Sequence, residues 1–378
     1  MQHMAHRGAL ALVGVSLVVS MRLSAQSRTS TPTKTVVAKE LWRVDGTESG
    51  QPFGSVRDIL ALPNGDLWVL DYKDQQIRRY DRDGRALGVI GRKGSGPGEM
   101  RNANGMVLHG DGTVWVNDPS NARFSVFRAD GRYATQHAAP ITGYGYRWEA
   151  WYDASTKSVI DLDFSKRGVM PGRRRVSATG TVSDRFELPA CRTRLDLMFE
   201  ATAPKESLQG LYPFSMGGGA AGDRQGALWC APVDDDRAVK LRIGSGDTLA
   251  RTTVSVPALP VSTAEREAEI ARVQKSVAAY PRHTFDPAKV PTKRPPIAAL
   301  WVDDDDRVWL EHGRPDGAAT STFDVFNSSG AHLGRVLIPS RRSTFLPIRA
   351  KGDRLWIPVI DADDVPALAL FRVALAPR

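Results

Sequence analysis

Short runs of alternating apolar and polar residues, each closed by a glycine or aspartate turn, fill most of this chain. Gln76-Ile-Arg-Arg-Tyr80 and Arg123-Phe-Ser-Val-Phe127 alternate with period two, which predicts strands with one buried face. The stretch from Gly65 to Gly84 shows a whole unit: a glycine turn, an apolar run containing Trp68, a turn marked by Asp71, an alternating run and a second glycine turn. Read with its flanks, it predicts four strands, at Ser55–Leu62, Leu67–Leu70, Gln76–Tyr80 and Ala86–Ile90.

The unit recurs. Gly65-Asp-Leu-Trp68 is matched by Gly112-Thr-Val-Trp115, Gly226-Ala-Leu-Trp229, Asp306-Arg-Val-Trp309 and Asp353-Arg-Leu-Trp356. Trp68 and Trp115 stand 47 positions apart, as do Trp309 and Trp356. The 114 positions from Trp115 to Trp229 leave room for a degenerate copy, Lys157-Ser-Val-Ile160, with Ile160 in the tryptophan position. From Trp229 to Trp309 the 80 positions hold one period and an insertion. The second turn returns at Asp130-Gly131, Thr179-Gly180, Ser245-Gly246 and Ser329-Gly330. A repeat of this length with four short strands is a propeller blade, a small sheet that buries both faces only against its neighbours. Six copies predict an all-β, six-bladed β-propeller, with the tryptophans packed between blades.

The sixth copy has strands near Phe345–Arg349, Arg354–Val359 and Leu368–Val373, and the sequence stops at Arg378. A spare strand at the other end, Thr35 to Val44, is expected to complete that blade, closing the ring and covering a sheet edge. Ser262-Thr-Ala-Glu265 is a capping box. The spacing of Ile270, Val273 and Val277 predicts a helix from Ala264 to Ala279, stopped before Pro281. With the proline-rich connector that follows, it makes a helical insertion at about 262–296 between blades four and five.

Arg7, an apolar run from Gly8 to Met21, and Ala25 read as a secretory signal cleaved after Ala25. The run is short for a transmembrane span, although retention as an anchor stays open. The domain reading is a signal peptide at 1–25, a flexible leader at 26–34 and the propeller at 35–378. Export makes the protein periplasmic or secreted. It also removes most of the weight of the net charge of +9 as a nucleic-acid signal. The dense basic run Arg173-Arg174-Arg175 is assigned to a loop. Cys191 and Cys230 are the only cysteines, and in an oxidising compartment they can pair or stay as two small buried residues.

Asn64-Gly-Asp-Leu-Trp-Val-Leu-Asp71, Ile77-Arg-Arg-Tyr-Asp-Arg-Asp-Gly84 and the linker Gly91-Arg-Lys-Gly-Ser-Gly-Pro-Gly-Glu99 resemble NHL-type repeats, as do Gly112 to Asp118 and Arg123 in the second blade. The linker looks like the Gly-Pro-Gly-Glu signature of exported bacterial six-bladed propellers related to NHL and TolB-like proteins. The resemblance implies the fold; propellers host many functions.

Candidate chemistry is sparse. Gly91–Gly98 lacks the ending of a phosphate loop and no helix follows it, so it reads as a turn between blades. Asp71 and Asp118 occupy equivalent places after the second strand, where aspartates hold backbone amides. No nucleophile motif or histidine cluster with ligand spacing occurs, and neither catalytic nor metal-ligating residues are assigned. The innermost strands place polar groups on blades one to three, at Arg57, Asp58, Asn104, Trp148 and Glu149, opposite small residues such as Gly218, Gly219, Ala298 and Ala299. These five are the expected ligand-binding positions. In a regular strand Arg57 and Asp58 point to opposite faces, and Asp58 is expected to take the channel side. The reading is an exported, monomeric, non-catalytic binding or protein-interaction propeller without a cofactor, its partner a small ligand or a protein. The alternative is a lactonase-like metal-dependent hydrolase using Asp58, Asn104 and Glu149.

Overall fold

The computed structural model describes residues 35–139, 147–163, 172–186, 195–215, 217–233, 235–315, 317–342 and 345–375. The signal, the leader and Cys191 lie outside the described residues.

Thr35–Val37 (β1) and Lys39–Val44 (β2) come first. Val56–Ala61, Leu67–Asp71, Gln76–Tyr80 and Ala86–Ile90 (β3 to β6) form an antiparallel sheet in sequence order. Gly105–Leu108, Val114–Asp118, Arg123–Phe127 and Tyr133–Ala138 (β7 to β10) form the second. The third comprises Trp151–Asp153, Ser158–Asp163, Gly172–Val176 and Val182–Phe186 (β11 to β14). A hairpin, Met198–Ala203 and Glu206–Leu211 (β15 and β16), precedes the fourth sheet, Gly219–Gly222, Ala227–Ala231, Arg237–Arg242 and Thr248–Thr253 (β17 to β20). Helix α1, Thr263–Val277, and the short strand Arg282–His283 (β21) follow. Ile297–Val302, Val308–His312, Ser321–Phe326 and His332–Ile338 (β22 to β25) make the fifth sheet; Arg349–Lys351, Arg354–Ile360 and Pro366–Arg372 (β26 to β28) make the sixth. The first strands of successive sheets touch: β3 with β7, β7 with β11, β11 with β17, and β17 with β22, while β26 touches β3. Four-stranded antiparallel sheets set side by side through their first strands form a β-propeller.

The strands of the first sheet fall within one residue of those expected from the opening unit. The repeated tryptophans explain the packing. Trp68 joins Met106, Val116 and Phe127 of the second sheet, and Trp115 joins Trp148 and Val159 of the third. Trp229 meets Leu300 and Leu310 of the fifth sheet, Trp309 meets Leu355 and Phe371 of the sixth, and Trp356 meets Ile59 and Tyr80 of the first. Each fills the gap to the next sheet in line. Sheet three has Ile160 in that position, and Trp151, opposite it on β11, lies against Gly222 of β17 instead. A Cβ at Gly222 would fall 1.8 Å from the indole, so the missing tryptophan is replaced from the neighbouring strand onto a glycine.

Hydrogen-bonded clamps fix the linkers between sheets. Asp71 accepts from Gly54 N–H (2.8 Å) and Ser55 N–H (3.0 Å), and Asp118 accepts from Asn102 N–H (2.9 Å) and Arg101 N–H (3.1 Å). They hold amides, as their sequence positions suggest. Arg78 is fully buried; it donates to the carbonyls of Gly46, Gln51 and Pro52 and pairs with Asp71 and Asp74. Arg123 donates to the carbonyls of Ser95, Gly96 and Glu99, which pins the glycine-rich segment as a link between sheets.

Three features differ from the sequence expectation. The strand expected over Thr35–Val44 is divided at Ala38. β1 runs parallel to β25 as the fifth strand of the fifth sheet, while β2 pairs antiparallel with β28. The insertion is also larger than its sequence limits. The capping box forms as expected, with Glu265 N–H donating to Ser262 Oγ at 3.2 Å and Ser262 N–H to Glu265 Oε2 at 3.0 Å. Yet α1 packs its Val273 and Val277 on Phe199, Ala201 and Tyr212 of the β15–β16 hairpin, and β15 also pairs with β21. The hairpin carries no tryptophan motif, so the repeat could not locate it. Arg173-Arg174-Arg175 is strand β13, not a loop. Strand alternation separates the three charges, and acids of neighbouring strands accept two of them: Asp161 pairs with Arg174 at 2.6 Å and Asp153 with Arg175 at 3.0 Å. Cys230 is disulfide-bonded and buried. Among the described residues no helix is long and apolar enough to cross a membrane.

Replacing Arg78 by Met leaves Asp71 and Asp74 without their cation and the Gln51 and Pro52 carbonyls without a donor, while Gly46 keeps Ser49. We expect a loss of about 3–5 kcal/mol in urea unfolding; a loss below about 1 kcal/mol would show that the linker holds without the clamp. The fifth sheet gives a pH test. Burial alone would raise the Asp324 carboxyl, but hydrogen bonds from His312, His332 and Arg335 outweigh it and hold the group well below its ordinary value. Its stabilisation is therefore complete above the unfolded value of about 3.9 and is lost as pH falls through the lower folded value. Asp324→Asn should cost about 2 kcal/mol at pH 7 and flatten the acid limb of a stability-versus-pH curve below about pH 4.

Candidate functional site

Alternation along the inner strands decides which of the five sequence-predicted positions reach open space. Asp58 is 1% exposed. Its Oδ1 accepts from its neighbour Ile59 N–H at 2.9 Å and its Oδ2 from Met106 N–H of the second sheet at 2.8 Å. Arg349 of the sixth sheet lies 3.5 Å away and also donates to Ile59 O at 3.0 Å. Burial raises the Asp58 carboxyl above its ordinary value, opposed by Arg349 and Arg147. Asp58 thus stitches three sheets at their inner strands. Asn104 is buried and accepts from Asn117 Nδ2 at 3.0 Å, while its carbonyl accepts from Trp148 N–H at 2.9 Å.

Trp148 turns away from the inner face, into the contact between the second and third sheets. Its ring sits 5.3 Å from that of Phe124, and its indole N–H donates to Asp161 Oδ1 at 2.6 Å. Burial raises the Asp161 carboxyl, opposed by Arg174 and by this indole. Arg57 is partly exposed, with its guanidinium 4.0 Å from the centre of the Tyr72 ring. Burial lowers its pKa, as does the like charge of Arg147, while Tyr72 opposes the shift. Glu149 is 47% exposed. Asp58, Asn104 and Trp148 therefore build the wall, and Arg57 and Glu149 face outward from it.

Around Glu149 the structure assembles residues that the sequence count passed over. Arg147 Nη2 is 3.6 Å from Glu149 Oε1, and Arg173 Nη2 is 3.9 Å from Glu149 Oε2. Both arginine side chains are only 10% exposed. The Arg147 guanidinium lies 5.3 Å from the ring centre of Trp301 on β22, and Arg173 lies 5.8 Å from that of Trp151. Arg147 spans this distance because the intervening strand β17, Gly219-Ala-Ala-Gly222, has almost no side chains. The signal for Arg147 was strand alternation: Arg147, Glu149 and Trp151 share one side, and Trp148, Ala150 and Tyr152 share the other. The signal for Arg173 was hidden by its assignment to a loop.

The arrangement can hold a ligand by charge, hydrogen bonding and ring contact. Other polar groups are engaged structurally. His312 and His332 both bond Asp324, and His109 stacks on Trp115 beside Asp111. Among the described residues no group of three or more His, Cys, Asp or Glu is placed to hold a metal ion.

No family model matches the chain, and no curated protein matches it. Solved structures share its fold. A member of the DUF4221 family from Bacteroides vulgatus superposes with a TM-score of 0.51 at 11% identity, covering 91% of this chain and 98% of that one. A candidate exported protein from Bacteroides fragilis gives a TM-score of 0.50 at 10% identity, covering 90% of this chain and all of that one. At such identity the likeness is one of fold.

The wall and its outward groups should separate on mutation. Asp58→Ala leaves buried donors of Met106 and Arg349 unmet and should cost about 3 kcal/mol in urea unfolding. Glu149→Gln, half exposed and beyond hydrogen-bond distance of its partners, should change stability by less than about 1 kcal/mol. Equal losses would contradict this division.

Proposed function

We propose that the protein is an exported six-bladed propeller of the NHL and TolB-like type whose task is to bind, not to transform, a small ligand at its inner strands. The six sheets are its blades, and the pairing of β2 with β28 supports closure of the ring by the N-terminal segment. The Arg7 to Ala25 leader supports export to the periplasm or beyond. Of the five sequence-predicted positions, Arg57 and Glu149 are the ligand-facing groups, and Asp58, Asn104 and Trp148 hold the wall that carries them.

One observation carries the reading. Beside the side-chain-poor strand β17, two mostly buried arginines converge on Glu149 and each lies against an indole. Ligand sites combine aromatic lining with a few converging polar groups in this way. Among the described residues Asp58, Asp161, His312 and His332 are committed to structural bonds, which favours binding over turnover.

The test is a thermal-shift and native mass-spectrometry screen of the exported chain against a panel of small metabolites, charged and neutral. A saturable stabilisation by at least one compound, reduced in Arg57→Gln, is the expected result. A stoichiometric divalent ion together with hydrolysis of a lactone or ester panel, lost in Asp58→Ala, would replace the binding role with the hydrolase alternative. A panel without any ligand would also overturn it.

A further inference from the structure

The cluster around Glu149 has an imbalance of charge and hydrogen bonding that narrows the class of ligand. Two guanidiniums, Arg147 and Arg173, are nine-tenths buried and flank a single carboxylate. At 3.6 and 3.9 Å that carboxylate lies outside hydrogen-bond distance of both. The Nε–H groups of Arg147 and Arg173 are buried without an acceptor. Arg78, Arg123 and Arg342 also leave Nε unmet, but their remaining nitrogens are bonded to carbonyls or carboxylates. Arg147 and Arg173 have no such bond among the described residues.

Nearby carboxylates are already committed. Asp58 holds two backbone N–H groups, and Asp161 takes Arg174 and Trp148. A buried cation without a bonded partner carries a desolvation cost of several kcal/mol, and burial lowers the pKa of Arg173 accordingly, opposed by Glu149 and Asp161. Glu149 itself is half exposed, so the carboxylate between the two arginines is the least fixed member of the group. The indoles of Trp301 and Trp151 stand behind the guanidiniums and offer flat apolar surface.

We infer that the ligand is a small organic carboxylate with a flat or apolar body, bound between Arg147 and Arg173 in the place Glu149 partly fills. A planar carboxylate matches the donor fork of arginine and can be held by two such groups at once. The chain's own carboxylate shows that the space accepts this group. A free ligand, without a tether, can approach the Nη groups that face Glu149 to hydrogen-bond distance. Glu149 then acts as a tethered competitor that keeps the cations partly neutralised when the site is empty. This inference rests on the reading of the inner strands as a binding site and adds the ligand class.

Isothermal titration with benzoate, its neutral isostere benzamide and inorganic phosphate tests it on the exported chain. Benzoate should bind, and benzamide should bind about tenfold more weakly or worse, since charge-assisted bonds to two arginines are lost. Glu149→Gln removes the competitor and should tighten benzoate several-fold; Arg147→Gln should weaken it about tenfold. Circular dichroism and thermal unfolding confirm that each variant is folded, and the benzoate-to-benzamide ratio of the unaltered chain requires no variant at all. Benzamide binding as well as benzoate would overturn the carboxylate inference and leave the binding-site reading standing. Phosphate binding with benzoate silent would reassign the anion. Silence of benzoate in both the unaltered chain and Glu149→Gln would end the inference, and the neutral members of the metabolite screen would then judge the wider reading alone. A Glu149→Gln variant that loosens benzoate would show a structural or ligand-contacting glutamate, not a competitor.

Discussion

A four-stranded sheet has two faces and cannot bury either by itself. Five of the six main sheets meet that constraint by inserting a tryptophan from the second strand into the face of the sheet beyond, and the third uses Trp151 of its first strand. Trp68, Trp115, Trp229 and Trp309 are almost wholly buried there, and each contributes one of the largest apolar areas available to a side chain. The contact always runs in the same direction along the series, so the sheets depend on one another for their cores. Loss of one such contact exposes two sheets.

Polar clamps then fix the angle at which one sheet leads to the next. In the first and second sheets an aspartate ending the second strand holds incoming amides, and an arginine of the third strand holds incoming carbonyls. The fifth sheet inverts the polarity. In register with the tryptophan, Asp324 stands where Arg78 stands in the first sheet, and His312 stands where Asp71 does. Arg335 and two histidines converge on Asp324, and Glu311 instead accepts Arg342 from the following linker. The requirement is a paired charge that reaches the linker; which side supplies the positive member is free.

The cluster around Glu149 stands where this pattern is broken. Ile160 is too small to fill the gap between the third and fourth sheets, and Trp151 fills it from the inner strand, which forces glycine on β17. A strand so poor in side chains cannot cover its inner face. Arg147 extends across the space to Trp301, and Glu149 and Arg173 border it. Packing need and candidate site therefore have one origin.

The sequence by itself determined the repeat, the strands and the tryptophan contacts, because period-two alternation, turn residues and a bulky residue at fixed spacing are local properties. It also located the capping box and the amide-holding roles of Asp71 and Asp118. Of the five candidate positions it named, Arg57 and Glu149 keep partly exposed side chains, whereas a one-residue difference in strand register turns Asp58, Asn104 and Trp148 into the wall. Only the tertiary structure decided the rest. It divided Thr35–Val44 between two sheets, joined the β15–β16 hairpin to α1, and converted an arginine run from loop to strand by supplying acids from neighbouring strands. The meeting of Arg147, Arg173 and Trp301 around Glu149 was likewise beyond sequence reading, since it depends on how far side chains reach across a strand that has almost none.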